Sequence, residues 1–254
     1  MQIQHALAIH AVFKTHASFA SITLQIKAGM KPIPGYFAHY LYRPWLTRYL
    51  SKERSYRYEH ITVRVLPGVF HPGFFFSTHY LLQYLLKADL LGHSLLEPGA
   101  GSGLISFVAE QHGAAVTASD LSMTAVQNLL LNKALLHSQA EVIHSDLFDQ
   151  LPARRFDFIV INPPYYPKAA TTDAALPWYC GADFEYYHKL FSALPSFMHA
   201  GTKTWMVLSE ECNIGRIQQI AAENKCRCSE VSRKKCWWEW NYIFEVTVAG
   251  DGDV

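Results

Sequence analysis

The hydrophobic residues of the chain change their spacing regularly from residue 78 onward. Segments with apolar residues at helical spacing are separated by short apolar runs typical of buried strands. The predicted helices cover residues 78–87, 102–112, 123–136, 184–198 and 213–224, and the predicted strands cover residues 93–97, 114–119, 141–144, 156–161, 204–208, 226–232 and 242–249. This alternation predicts an α/β fold with helices on both faces of a mostly parallel, seven-stranded sheet. Because no helix separates the last two strands, we expect the last strand to be antiparallel.

The residues before 61 follow a different pattern. Residues 35–51 have apolar side chains at helical spacing interrupted by Pro44, which predicts one or two short helices. Residues 60–66 alternate before Pro67-Gly68, which favours a short strand and a tight turn. We therefore predict a small helical and hairpin appendage at residues 1–60 and a main domain at residues 61–254. The appendage is basic, because residues 1–52 include six lysines and arginines and no Asp or Glu.

Composition narrows the class of protein. At 254 residues, half of them hydrophobic, the chain is long enough for one sizeable domain and an appendage. The formal net charge of +1 gives no global indication of a nucleic-acid, membrane or acidic partner. The five cysteines are odd in number and lack CxxC spacing, so neither a disulfide framework nor a zinc site is predicted. The thirteen histidines show no HExxH or comparable ligand spacing, so metal chemistry is not indicated. No apolar run approaches the length of a membrane span, and we expect a cytoplasmic protein.

The strand predicted at residues 156–161 ends in Asn162-Pro163-Pro164-Tyr165. The prolines end the strand because they donate no ladder hydrogen bonds, and Pro163 keeps Asn162 out of helical geometry. A carboxamide, carbonyls without competing N–H groups and an aromatic ring are thereby held together. This set can accept the N–H groups of a flat amide or of a base's exocyclic amine, while Tyr165 stacks on its plane. A simple strand-terminating turn is the alternative, because Asn and Pro are ordinary turn residues.

A glycine-rich turn follows the strand predicted at residues 93–97. Glu97 ends this strand, and Gly99, Gly101 and Gly103 follow at alternate positions as the next helix begins. Glycines permit tight turning and close approach of the backbone to a ligand, and a helix N-terminus offers unpaired N–H groups. The turn therefore predicts a cofactor site. Taken alone, this pattern also fits a dinucleotide.

Two acids follow the next two predicted strands. Asp120 stands where a carboxylate can accept both hydroxyls of a ribose. Asp146 stands where its side chain can accept from an adenine amino group, while the backbone N–H of Leu147 meets a ring nitrogen. Taken alone, Asp120 also fits a helix N-cap and Asp146 a turn. Together with the glycine turn and Asn162, they mark the ends of four successive strands, the edge where ligands collect in open α/β sheets.

The order of these motifs resembles that of the class I S-adenosylmethionine-dependent methyltransferases, which have a Rossmann-like fold. Asn-Pro-Pro-Tyr after the fourth strand resembles their amino-methylating branch, and residues 66–72 with Ser77-Thr78 resemble the entry of the small-domain methyltransferases. The resemblance covers residues 61–254, which would form the catalytic domain, and it implies S-adenosylmethionine as cofactor. A nicotinamide dehydrogenase is disfavoured, because the glycines are spaced GxGxG after an acid rather than GxGxxG.

The resemblance also implies roles for individual residues. Asp120 would hold the ribose, and Asp146 and Leu147 the adenine. Glu97 would support the pocket for the methionine end, and Thr78 would contact that end of the cofactor. The residues that shape this pocket would be Gly99, Gly101 and Gly103.

On the substrate side, Asn162 and the Pro163 carbonyl would accept the N–H groups of the target nitrogen, with Tyr165 as a stacking wall. The resemblance spans release-factor glutamine methyltransferases and enzymes that methylate the exocyclic amines of RNA or DNA bases. The Trp/Gly-containing residues 177–181 are similar to a loop of the glutamine enzymes and favour protein glutamine slightly over an RNA base. An alternative of another class is a non-catalytic module that binds RNA or protein.

One further segment combines cations with aromatic residues. Residues 233–240, Arg-Lys-Lys-Cys-Trp-Trp-Glu-Trp, could contact phosphate and stack on bases. The simpler interpretation, which we favour at this point, is a solvated hairpin turn between the last two strands with the Trp residues packed beneath it.

Overall fold

The computed structural model of the protein describes residues 51–74, 76–172, 175–236 and 239–248. The helices predicted at residues 35–51 therefore lie outside the described residues, apart from Ser51. From Ser55 onward the chain forms one compact unit. No helix in the described ranges is long and apolar enough to cross a membrane.

The structure confirms the predicted alternation of strands and helices. The strands are β1 Arg54–Tyr58, β2 Ile61–Val65, β3 Ser94–Pro98, β4 Ala115–Asp120, β5 Glu141–His144, β6 Phe158–Ile161, β7 Lys203–Ser209, β8 Cys226–Cys236 and β9 Glu239–Val248. The α-helices are α1 Phe76–Leu85, α2 Leu104–Gln111, α3 Met123–Leu136, α4 Glu185–Ala193 and α5 Ile214–Glu223. Short 3-10 helices lie at Pro72–Phe74 and Leu194–Phe197. Pro195 stands at the start of the second one, which explains why the helix predicted at 184–198 does not continue as one α-helix.

The last two strands differ most from the prediction. Residues 233–236 belong to β8 and Glu239 and Trp240 to β9, so the segment predicted as a solvated turn is mostly strand. Each residue of this part of β8 pairs with one of β9, for example Lys234 with Asn241. A run of charged residues has low β-propensity, but it is tolerated on an edge strand, where charges also discourage pairing with other chains.

Seven strands form the main sheet in the order β5-β4-β3-β6-β7-β9-β8. Neighbours from β5 to β7 are parallel, and β9 runs antiparallel between β7 and β8. The predicted fold class is therefore confirmed. Helices α1, α2 and α3 pack on one face and α4 and α5 on the other, and every residue of β6 is buried as a result. The carboxyl ends of the parallel strands lie at one edge, and the antiparallel direction of β9 brings the end of β8 and the start of β9 to the same edge.

A small hairpin of β1 and β2 is fastened to α3 through backbone atoms. Asn132 Oδ1 accepts from the Arg64 N–H at 2.7 Å, and Asn128 Oδ1 accepts from the Leu66 N–H at 2.6 Å. The amide nitrogens of both asparagines donate to the Arg64 carbonyl, and that of Asn132 also donates to the Ser102 carbonyl in the glycine turn. The predicted domain boundary after residue 60 falls in the connection of this hairpin, and the division into appendage and main domain stays a prediction.

Candidate active site

The glycine turn after β3 depends on backbone angles that favour glycine. Gly99, Gly101 and Gly103 have φ angles of 76°, 55° and 78°, in the left-handed region where a side chain costs about 1–2 kcal/mol. At Gly103 a Cβ atom would also overlap the Phe107 ring and stand 2.7 Å from Leu129. At Gly99 a Cβ atom would have nothing within 4 Å. Open space therefore lies over the turn, where the resemblance places the cofactor.

Asp120, at the end of β4, is fixed beside the glycine turn. Its Oδ2 accepts from the Gly101 N–H and its Oδ1 from the Ser122 N–H, each at 2.9 Å. The N-cap of α3 is Ser122, whose hydroxyl accepts from the Ala125 N–H, so Asp120 does not cap this helix. Burial raises the pKa of Asp120, and the hydrogen bonds from Ser122 and Gly101 oppose that shift. The carboxylate is thus held in one orientation, with lone pairs left on both oxygens for further donors.

Glu97 supports the glycine turn from a buried position. Its side chain is buried, and Oε2 accepts from both the backbone N–H and the hydroxyl of Ser106, at 2.9 Å and 2.5 Å. Ser106 lies in the first turn of α2, so these bonds hold the start of α2 against β3. Burial raises the pKa of Glu97 to about 8. The structure therefore gives Glu97 a supporting position, in line with the expectation, and its effect on the cofactor stays a prediction.

The shifted pKa of Glu97 should be visible in the pH dependence of stability. The pKa rises from 4.5 to about 8 on folding, so folding takes up a proton between these values. Stability is then greatest below the lower value and falls as pH rises through this window, by at most about 1.4 kcal/mol per pH unit. Glu97→Gln cannot ionise and should lack this part of the fall. Denaturant unfolding of both proteins at the two ends of the window tests this, and parallel profiles would contradict it.

Asp146 and Leu147 follow β5 at the same edge. The Asp146 carboxylate is half exposed and lies 2.6 Å from Lys189 Nζ, which also contacts Asp149 at 2.7 Å. Leu147 is buried and has a φ of 54°, a left-handed conformation that costs a non-glycine residue about 1–2 kcal/mol. Such strain is often retained where a backbone group must point at a ligand. The assignment of these two residues to adenine stays a prediction.

Tyr186 is a further candidate residue that the sequence did not predict. It lies in the first turn of α4. Burial raises the pKa of its hydroxyl, and the charges of Asp120 and Asp146 raise that pKa further. The sequence signal was its position at the start of the helix that follows residues 177–181. Because the carboxylates predicted to contact ribose and adenine both act on this hydroxyl, the ring is a candidate to pack against a nucleoside.

Asn162 lies at the end of β6 and contacts two of the other predicted residues. Its Nδ2 donates to Thr78 Oγ1 at 3.2 Å, and its Oδ1 accepts from the Tyr165 hydroxyl at 3.3 Å. Thr78 is buried in the first turn of α1, so it orients the amide. The structure thus brings Thr78 together with Asn162, and the cofactor contact predicted for Thr78 stays a prediction.

The two proline carbonyls of the motif differ in their hydrogen bonding. The carbonyl of Pro164 accepts from the hydroxyl of the fully buried Tyr187 at 3.1 Å. The carbonyl of Pro163 is therefore the candidate acceptor for a substrate N–H, as predicted for this residue. Tyr166, the next residue after the motif, donates its hydroxyl to Glu211 Oε2 at 2.7 Å. These bonds fix the motif on both sides, so its acceptors are preorganised.

Two aromatic rings meet above the glycine turn. The Cβ atom of Phe70 stands 3.8 Å from where a Cβ on Gly101 would lie. The rings of Phe70 and Trp178 have centres 5.4 Å apart. Residues 66–72 and 177–181, which are distant in sequence, therefore meet at the mouth of the site. Phe70 was not predicted individually, although the segment that contains it was.

The described residues include no group of three or more His, Cys, Asp or Glu side chains placed to hold a metal ion. What the structure does bring together is a cofactor side, with Glu97, the glycine turn and Asp120, and an acceptor side with Asn162. S-adenosylmethionine fits this arrangement in two respects. The space over Gly99 is open, and the Asp120 carboxylate beside it suits a pair of hydroxyls.

Comparison with known proteins agrees with this geometry. The profile of the methyltransferase small domain family matches residues 60–217, more than half of the chain. Ribosomal RNA small subunit methyltransferase C of Yersinia pseudotuberculosis is 31% identical over 120 residues, which are 46% of this chain and 34% of that protein. The chain therefore matches about a third of the length of this curated relative.

Two solved structures illustrate the similarity of fold. The T. thermophilus 16S rRNA N2 G1207 methyltransferase, solved with AdoMet and guanosine, has a TM-score of 0.56 and 22% identity, covering 76% of this chain and 50% of its own. An E. cuniculi complex responsible for methylation of the eRF1 translation termination factor has a TM-score of 0.54 and 18% identity, covering 72% and 99%. At these identities the likeness concerns the fold.

The family match confirms the predicted methyltransferase family. S-adenosylmethionine is the predicted cofactor, and the T. thermophilus structure holds AdoMet. The roles of individual site residues stay predictions. By the extent of the match and by its fold, the chain belongs to the methyltransferase small domain family.

Proposed function

We propose that the protein transfers a methyl group from S-adenosylmethionine to an exocyclic amino nitrogen of an RNA base. The observation that carries this proposal is the fixed amide of Asn162, held by Thr78 and Tyr165 at the end of β6. β6 pairs directly with β3, so the acceptors for an amino group and the open space over Gly99 belong to adjacent strand ends. An amino group bound at Asn162 would therefore lie beside a methyl donor bound over the turn.

The chemistry needs little beyond orientation. S-adenosylmethionine supplies a methyl group on a positively charged sulfur, which leaves as the neutral thioether when a lone pair attacks in line. The amino nitrogen of a base shares its lone pair with the ring. Asn162 Oδ1 and the Pro163 carbonyl would each accept one of its N–H groups, which orients the nitrogen and draws it toward tetrahedral geometry. No strong base is required, because the cationic product can release its proton after transfer.

RNA is proposed ahead of protein glutamine because of the relatives. Proteins named ribosomal RNA small subunit methyltransferase C share 31% identity with this chain over 120 residues. The E. cuniculi complex that methylates a termination factor is similar to this chain in fold alone. Residues 177–181, which favoured glutamine slightly in the sequence, keep that substrate as the second candidate. A cytoplasmic location is part of the proposal, since that is where ribosomal RNA is found in bacteria.

The substrate class can be tested directly. The purified protein is incubated with tritiated S-adenosylmethionine and cell extract, and the product is divided between nuclease and protease digestion. We expect nuclease to release the label and nucleoside analysis to find the methyl group on an exocyclic nitrogen. Release by protease would replace RNA with the glutamine candidate. Binding of S-adenosylmethionine with no transfer to either fraction would favour the non-catalytic module.

A further inference from the structure

Strand β8 concentrates positive charge at the edge of the sheet. Its eleven residues include one acid, Glu230, and four cations, Arg227, Arg233, Lys234 and Lys235, whereas the whole chain has a net charge of +1. The last three of these cations are exposed and lie at the end of β8 nearest to the β8–β9 connection. The end of β8 is at the same edge of the sheet as Asn162, so the charge is placed on the side where substrate would enter.

Two of these cations lie over aromatic rings of β9. The Arg233 guanidinium carbon is 5.8 Å from the centre of the Tyr242 ring, and Lys235 Nζ is 5.6 Å from the Trp240 ring. Each cation is the direct partner of its ring in the strand pairing. The two pairs are therefore two residues apart on one face of the hairpin, a spacing of about 7 Å along the strand. Their rings are half-buried and the cations stand outside them.

Hydrogen bonds connect this hairpin with the acceptor site. The Glu210 N–H donates to the Trp240 carbonyl at 2.9 Å. The next residue, Glu211, accepts from the hydroxyl of Tyr166 at 2.7 Å. Because Tyr166 directly follows the Asn-Pro-Pro-Tyr motif, the hairpin and the motif are held in a fixed relation.

A third pair of the same kind is connected to Tyr166 by backbone pairing. Lys168 Nζ is 5.2 Å from the centre of the Tyr179 ring, and Tyr179 forms a bridge with Tyr166. Lys168 is exposed and the Tyr179 ring is half-buried. Tyr166, the residue after the motif, is thus connected to the hairpin pairs through Glu211 and Glu210 and to the Lys168 pair through Tyr179.

We propose that these three pairs form a docking surface for the single-stranded RNA that flanks the target base. We call it the cation–aromatic track, and it consists of Lys168–Tyr179, Lys235–Trp240 and Arg233–Tyr242. Single strands are bound by cations that meet phosphates and by planar groups on which bases stack. The track supplies three cations, each held over a ring, and the plane of the Arg233 guanidinium can also carry a base. Arg233 donates to both carboxylate oxygens of Glu230, and in this exposed position a phosphate can compete for the guanidinium. The inference rests on the proposed function, which supplies RNA as the partner.

The track is tested with the double variant R233Q/K235Q of the full chain. A fluorescently labelled single-stranded RNA that contains the methylated site of the extract RNA serves as probe. We expect its affinity to fall about tenfold and the slope of log affinity against log salt to become shallower by about 1.4, two phosphates at about 0.7 each. The matched control K133Q/K203Q removes two cations from α3 and from the opposite end of β7, and should change neither quantity by more than about a factor of two. Calorimetric binding of S-adenosylmethionine verifies that both variants are folded.

The outcomes separate the track from the proposed function. If the wild type methylates RNA and the two double variants bind the probe equally well, the track is wrong and the proposed function stands. If the extract experiment gives no RNA methylation, the proposed function fails, and binding is measured on a random-sequence single strand, where equal affinities would again overturn the track. The charge-conserving variant R233K/K235R should retain the salt slope, and a loss there would show that charge is not the cause.

Discussion

Asn162→Ala is expected to lower kcat by on the order of 100-fold or more, the usual loss for one preorganised hydrogen-bonding group at a reacting centre. Affinity for S-adenosylmethionine should change by less than a few-fold, because Asn162 belongs to the acceptor side. The reason is the loss of Oδ1, which the bonds to Thr78 and Tyr165 hold in position. Single-turnover methyl transfer and calorimetric titration of the cofactor measure the two quantities separately.

A matched control makes the same chemical change elsewhere. Asn213→Ala removes an amide that caps α5 by accepting from the Arg216 N–H, which should cost about 1 kcal/mol of stability and leave kcat unchanged. Asn162→Asp keeps an acceptor at the site and should retain more activity than the alanine variant. Turnover within a few-fold of wild type for Asn162→Ala would remove Asn162 from the mechanism and return the motif to a strand-ending turn.

Asp120→Ala is expected to weaken S-adenosylmethionine binding about 100-fold. Loss of charge-assisted hydrogen bonds to two hydroxyls corresponds to about 3 kcal/mol. The substitution also removes two hydrogen bonds within the protein, because Asp120 accepts from the backbone N–H groups of Gly101 and Ser122. Calorimetric titration gives the affinity, and thermal unfolding of the free protein shows how far the turn itself has loosened.

Two further variants help to interpret the affinity of Asp120→Ala for S-adenosylmethionine. Asp120→Asn keeps the shape and one acceptor oxygen, so we expect a loss between those of wild type and Asp120→Ala. Asp89→Ala removes one carboxylate far from the site, in the connection after α1, and should leave the affinity unchanged. An affinity for Asp120→Ala close to that of wild type would mean that the ribose is held by other groups.

Much of the fold and part of the site follow from local signals in the sequence. A parallel strand covered on both faces must be continuously apolar, so Phe158–Ile161 is predictable from its residues alone. Once the strands are known, polar groups directly after them must share one edge. This is why Asp120 and Asn162 could be assigned to one site before any distance between them was known.

The contacts that sequence could not supply join residues far apart in the chain. The charges of Asp120 and Asp146 act on Tyr186 only because α4 packs on the sheet. The sequence around Tyr186 is that of any amphipathic helix. The ion pair between Lys189 and Asp146 likewise depends on the packing of α4 against the sheet. The charged end of β8 was predicted as a turn because edge strands depend on pairing with a neighbour rather than on their own propensity.

The two buried asparagines of α3 have a consequence for sequence divergence. Asn128 and Asn132 hold the hairpin solely through the backbone N–H and carbonyl groups of Arg64 and Leu66. Every residue type except proline offers these groups. Mutations at positions 64 and 66 should therefore be tolerated by this anchor, whereas replacing either asparagine leaves these backbone groups without their side-chain partner. Relatives of this protein can change the residues at positions 64 and 66 and still keep the hairpin, and the glycine turn bound to Asn132, in place. The alternate positions Ile61, Val63 and Val65 are constrained separately, because they are buried in the core.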